Sequence, residues 1–343
     1  MKAVVLEAPE RFACTDRPEP AAGPGEALVR IVAAGICASD VATIRGHNPI
    51  AVYPLTLGHE SIGVVEAAPA GAGVAPGDWV TVFPSVGCGD CPACRAGRTN
   101  HCPSFKVIGI NREGGLFAER VAVGVGQLVP VPESLAGERG VLVEPAAVAV
   151  HVNRRGGTRP GERVLIVGAG VVGTLVAQVA RAYGAKEVIL VDRLESRRAT
   201  LARLGFDRFL PAADGDGRPL AERVIDLAGG PVDVVYDSVC VDATLEAGAD
   251  ALAPGGRLVL VAVPHGDAPL RVTYAKVYRR ELSLIASRNY IPDDFREAIR
   301  VLEAGAIDTD AMVTGRYPLA DFAAAYADLT GHPERHLKVL LTP

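Results

Sequence analysis

The stretch that most constrains the fold is an uncharged run from Val164 to Ala180, broken by glycines at 168, 170 and 173. Gly168-Ala169-Gly170-Val171-Val172-Gly173 follows a short apolar segment, Arg163 to Val167, and opens a helical one, Val171 to Tyr183. As a membrane span the run falls short of the ~20 residues a span needs, and the glycines interrupt it. A buried strand, a tight turn and a buried helix suit it better. In such a unit the first glycine permits the turn, the second lets a pyrophosphate approach, and the third lets helix pack on strand. The helix N-terminus then offers N–H groups and a favourable dipole to phosphate. Alone the motif is weak, because any glycine-rich turn can produce it. Asp192 strengthens it: it closes the next apolar run, Glu187 to Val191, 19 residues past Gly173. There a carboxylate can hold ribose hydroxyls and repel a 2′-phosphate, so NAD is expected rather than NADP. The expected cofactor contacts are Gly168, Gly170, Val171, Val172, Gly173 and Asp192, with Arg193 and Arg197 close by. A helix N-cap is the plainer reading of Asp192.

The chain changes texture near residue 150. Before it, short strand-like segments (Ala27 to Val32, Ser61 to Glu66, Asp78 to Val82) are separated by Gly/Pro turns, which suggests a barrel-like β domain. After it, continuous apolar runs alternate with helical stretches, which implies a parallel sheet covered on both faces. Further strands are expected at Val232 to Tyr236, Arg257 to Ala262 and Leu282 to Ala286. A helix is expected at Leu194 to Leu204 and an exposed loop at Ala213 to Pro219. Helical patches at Asp294 to Ala304 and Asp321 to Leu329 precede a last strand, Leu337 to Leu341. At 343 residues the chain has room for two domains. Its net charge of −5 and lack of a basic run make nucleic acid and membrane surfaces unexpected partners. The opening residues are charged too early for a signal peptide, and a cytoplasmic location is expected.

Four of the seven cysteines crowd into Cys88-x2-Cys91-x2-Cys94-x7-Cys102. Four thiolates on one short loop can close a tetrahedron around Zn²⁺ and leave no open position, so this zinc would be structural. A redox disulfide pair is the rival reading.

A second set is dispersed: Cys37, His59, Glu60 and Glu144. These donors suit zinc, and three protein ligands plus an open position make a catalytic site. Each also has an ordinary reading. Cys37 could be a small core residue, His59 a satisfied core histidine, and Glu144 a carboxylate at a helix entry.

Taken together, these motifs resemble the zinc-dependent medium-chain alcohol dehydrogenases over essentially the whole chain. The resemblance implies an α/β fold in which a GroES-like β-barrel catalytic domain (1–148 plus 289–343) receives an inserted Rossmann domain (149–288), a doubly wound parallel sheet. It implies a catalytic zinc on Cys37, His59, and Glu60 or Glu144. Ser39 would accept the substrate proton, Asp40 would hold the other nitrogen of His59, and NAD would take the hydride. Two departures stand out. The usual Cys-Gly-Ser-Asp reads Cys37-Ala38-Ser39-Asp40, and the histidine common five residues after the zinc cysteine is Ala42. His47 is the candidate to replace it in the proton relay.

Glu144-Pro145 resembles the polyol and threonine dehydrogenase branch. Ser85 to Cys88, Val107 to Gly109, Gly114-Gly115 and Ser287-Arg288-Asn289 resemble sugar-acid dehydrogenases acting on L-galactonate, L-gulonate or L-idonate. The expected activity is oxidation of a secondary alcohol, a sugar acid or polyol, by a homodimer or homotetramer. The alternatives are an L-threonine dehydrogenase-like enzyme and a non-catalytic NAD- and zinc-binding sensor.

Overall fold

A computed structural model describes residues 1–213, 217–263 and 269–343. The loop expected over 213–219 lies outside the described residues at 214–216. Among the described residues no helix is long and apolar enough to cross a membrane. Two compact units emerge. One comprises Met1–Glu144, Ile291–Glu303 and Met312–Pro343; the other comprises Pro145–Tyr290 and Ala304–Ala311. The first division falls inside a continuous helix, Val143–Gly156, the stretch in which the texture of the sequence changes. The segment 304–311 joins the second unit, where the Asp308 N–H donates to the buried Gln178 side chain at 2.9 Å.

The second unit is built on six parallel strands. Their spatial order is Phe209–Pro211, Glu187–Asp192, Arg163–Val167, Val232–Asp237, Leu252–Leu260, Ser283–Ala286. Numbered along the chain this is 3-2-1-4-5-6, the doubly wound order. The central strand is apolar on both faces, and Val164, Leu165 and Ile166 are all buried. Helix Val171–Ala182 lays Leu175, Val176 and Val179 against the sheet. Each fully buried side chain of this size contributes roughly 1.5–3 kcal/mol. The order reverses between Arg163–Val167 and Val232–Asp237, and Gly168 sits at that switch point.

The first unit carries a seven-stranded sheet. Strand Glu26–Ile36 pairs antiparallel with Glu60–Ala67 on one side and with Lys338–Thr342 on the other. The register sets Gly35 opposite Glu60 and Ile36 opposite Val339. Three segments far apart in sequence therefore end together, at Ile36, Glu60 and Lys338. Residues Lys2–Ala8 form a strand paired with Arg11–Asp16. Its run Ala3-Val4-Val5-Leu6 is buried, which a search for alternation passes over.

Two ligand clusters and a dinucleotide turn

Cys37 is the N-cap of helix Ala38–Ile44, at the end of the central strand. His59 immediately precedes the neighbouring strand, which Glu60 begins. The donor atoms of Cys37, His59 and Glu60 lie within 4.8 Å of one another. Asp40, fully buried, ties the group together. One carboxylate oxygen accepts the Cys37 N–H at 2.9 Å, and the other stands 3.3 Å from His59 Nδ1. His59 Nε2 is 3.1 Å from the Ser39 hydroxyl. Ser39 and Asp40 thus grip opposite nitrogens of one imidazole. Glu144, buried near the start of helix Val143–Gly156, lies outside the 4.8 Å set.

Sequence reasoning missed Lys338. Its ammonium is 2.6 and 2.8 Å from the two oxygens of Glu60 and 3.1 Å from the Ile36 carbonyl, which both accept from it. Both side chains are about 1% exposed. The signal was a lysine inside an otherwise apolar final strand, since a charge buried there requires a partner. Burial opposes the Lys338 charge, but Glu60 and Cys37 outweigh it, with help from Glu144, and raise its pKa. Burial likewise opposes a charged His59. Asp40 and then Cys37 overcome it and hold the His59 pKa well above the ordinary value. A thiol, an imidazole and a carboxylate within reach of one another are a donor set that fits zinc. His47 is exposed on the turn after the helix, with its N–H on the Ala42 carbonyl. No hydrogen bond joins its side chain to the cluster among the described residues.

The sulfurs of Cys88, Cys91, Cys94 and Cys102 also lie within 4.8 Å of one another. Backbone N–H groups of Cys88, Cys91 and Cys94 donate to the sulfurs of Cys102, Cys88 and Cys91 at 3.3–3.4 Å. The Cys94 N–H is the main cause that pulls the Cys91 thiol down to about 7, while Asp90 pushes Cys88 up to about 12. None of the cysteines is in a disulfide. Four sulfurs this close, with N–H donors already aimed at them, fit a closed Zn²⁺ site.

At the dinucleotide turn, Gly168 has φ +91°, and a Cβ on Gly173 would stand 1.8 Å from the Gly168 carbonyl. Gly170 faces open space at the start of helix Val171–Ala182, whose first turn carries no acidic residue. Val171 and Val172 begin that helix. Asp192 accepts the Ala169 N–H at 2.7 Å and the Leu194 N–H at 2.9 Å, so it braces the turn from the adjacent strand. Arg193 is exposed beside it, and Arg197 is buried in the next helix.

A switch-point glycine turn on a doubly wound sheet, in a chain with a mixed-donor cluster and a four-sulfur lobe, describes a metal-using dinucleotide dehydrogenase. Comparison with known proteins agrees. Residues 171–304 match the model of a zinc-binding dehydrogenase, and residues 23–133 match an alcohol dehydrogenase GroES-like domain. The chain is 34% identical over 329 residues to the L-galactonate-5-dehydrogenase of Escherichia coli K12, covering 95% of this chain and 94% of that protein. Among solved structures, rspB of Escherichia coli CFT073, complexed with NADH, superposes with TM-score 0.91 at 30% identity. A zinc-binding dehydrogenase of Sinorhizobium meliloti 1021, bound to NADP, gives 0.92 at 32%. Each covers 100% of this chain and 99% of its own. The chain belongs to the zinc-dependent medium-chain alcohol dehydrogenases, in their polyol and sugar-acid branch. It is an oxidoreductase that acts on an alcohol with zinc and a nicotinamide dinucleotide.

Proposed function

We propose that the enzyme oxidises a secondary hydroxyl of a sugar acid or polyol, with NAD as the preferred acceptor. The observation that carries the assignment of the site is the Ser39 hydroxyl, 3.1 Å from His59 Nε2 at the cluster of Cys37, His59 and Glu60. Cys37, His59 and one carboxylate, Glu60 or Glu144, would hold the catalytic zinc; Cys88, Cys91, Cys94 and Cys102 would hold the structural one. Zinc supplies Lewis acidity toward an alcohol oxygen, and the dinucleotide supplies the hydride acceptor.

The protein does the rest. Asp40 fixes the tautomer and orientation of His59 through Nδ1. Ser39 takes the hydroxyl proton and passes it outward, with His47 or water completing the path. Lys338 holds Glu60 and balances the thiolate and carboxylate charge around it. The bracing of the glycine turn by Asp192, and its charge against a 2′-phosphate, support NAD over NADP.

Similarity to the L-galactonate enzyme supports the sugar-acid substrate class. Strand Ser283–Ala286 is an edge of the parallel sheet with Leu284 exposed, which supports a homodimer or homotetramer joined along that edge.

The test is NADH formation by zinc-replete protein across aldonic acids, polyols, threonine and simple alcohols, with NADP in parallel. Turnover highest on an aldonate or polyol is the expected result. Turnover highest on threonine, or faster with NADP, overturns the corresponding part of the reading.

A further inference from the structure

The parallel sheet has a second concavity, at the opposite end of its strands from the glycine turn. It is an open concavity of about 720 Å³, within the size range of small-molecule sites. Its wall is built from the starts of strands Arg163–Val167 and Glu187–Asp192, the turn before Phe209, and the last turns of helices Val171–Ala182 and Leu220–Ala228.

The charges there do not balance. Arg163, Arg181, Lys186 and Arg208 face Glu187, Asp207 and Asp226. Asp226 is already bonded by Arg218, which is not part of the wall. Glu187 is shared, 3.3 Å from Arg208 Nε and 3.8 Å from Arg163 Nε. Arg218 also reaches Glu222, so with both counted five cations meet four carboxylates. Arg181 and Lys186 pair with no carboxylate among the described residues. Arg181 instead donates to the Leu204 carbonyl at 2.9 Å and lies 4.3 Å over the Phe206 ring. Burial lowers its pKa, with no carboxylate to oppose the shift. Arg163 Nε is buried with no hydrogen-bond partner among the described residues.

A cation at a helix C-terminus answers the macrodipole, which accounts for Arg181. It does not account for Arg163, Lys186 and Arg208, which stand at the starts of strands. Two cations without a carboxylate partner among the described residues, Arg181 and Lys186, call for an anion. Guanidinium groups match phosphate geometry with paired N–H donors, and an ammonium serves phosphate as a point charge. The volume leaves room for more than the phosphate itself. We propose that this cleft binds a phosphate-bearing small molecule, through Arg163, Arg181, Lys186 and Arg208.

The experiment is calorimetric titration of NADH-saturated protein with inorganic phosphate and, separately, with glycerol 3-phosphate. NADH occupies the glycine turn, so phosphate binding there does not contribute. The expected result is saturable binding of about one equivalent, weakened about tenfold or more in Lys186→Ala/Arg208→Ala, a loss of about 1.4 kcal/mol or more. Tighter binding of glycerol 3-phosphate assigns the site to an esterified ligand; equal affinity assigns it to the free ion. Both residues are exposed. If the double variant unfolds early, Lys186→Glu reads the same loss while leaving the guanidinium pairs intact. No saturable heat, equal heat in the variants, or equal heat from sodium chloride at matched ionic strength overturns the proposal.

Discussion

The two ligand clusters differ in nearly every physical respect. The four-cysteine lobe is local: 15 consecutive positions, 88 to 102, hold all four donors. Its sulfurs are partly open to solvent, with only Cys102 buried, and the groups aimed at them are backbone N–H donors. The Cys37–His59–Glu60 cluster is assembled from separate strands and mixes three donor types. Its neighbours are side chains with chemistry of their own: Ser39, Asp40 and Lys338. A closed set of like donors surrounded by backbone suits holding a loop together. A set of unlike donors, surrounded by groups that carry protons and charge, suits a reaction.

His59→Ala breaks this comparison most severely. Turnover falls to background and zinc content falls from about two to about one per chain; activity surviving with one zinc would place the chemistry elsewhere. The converse is Cys94→Ser, where the lost zinc is the structural one. Thermal stability drops, while properly folded protein retains its substrate profile.

Ser39→Ala lowers kcat by ~10²-fold or more, the scale of a lost proton-transfer group, with zinc content unchanged. Full turnover across pH would remove Ser39 from the relay. Lys338→Met leaves Glu60 charged and unpaired in the interior and destabilises the fold by roughly 3–5 kcal/mol, read by denaturant melts. A smaller loss would mean that bound zinc takes over the neutralisation of Glu60, and zinc-free protein would then show the full deficit. The mildest change is Asp40→Asn, which keeps the shape and weakens metal affinity by roughly 10- to 100-fold, measured by competition with a chelating dye.

Much of the fold was legible because its signals are local. The turn from Gly168 to Gly173 lies where its glycine spacing put it, between strand Arg163–Val167 and helix Val171–Ala182. Strand Arg163–Val167 lies where its continuous apolar run implied. Helix edges were less legible: the stretch expected as helical from Leu194 to Leu204 is helix only over Arg197–Arg203. Helices Leu220–Ala228 and Asp242–Ala251 were not anticipated; the second is rich in Ala and has a weak apolar stripe, whereas the first carries a clear one that was passed over. Strand Lys2–Ala8 escaped because its four buried residues run consecutively.

The site divides along the same line. The four-sulfur lobe needed no tertiary information, since its spacing alone brings the donors within reach. Cys37, His59 and Glu60 could be named from sequence but not brought together by it. What joins them is strand register, which sets Gly35 opposite Glu60 and Ile36 opposite Val339. That register also delivers Lys338 to Glu60 across 278 residues of chain. Sequence by itself determined which chemistry the chain carries, because ligand type and glycine spacing are local properties. Which groups touch was decided by the sheet, because antiparallel pairing turns distant positions into neighbours that composition and spacing do not encode.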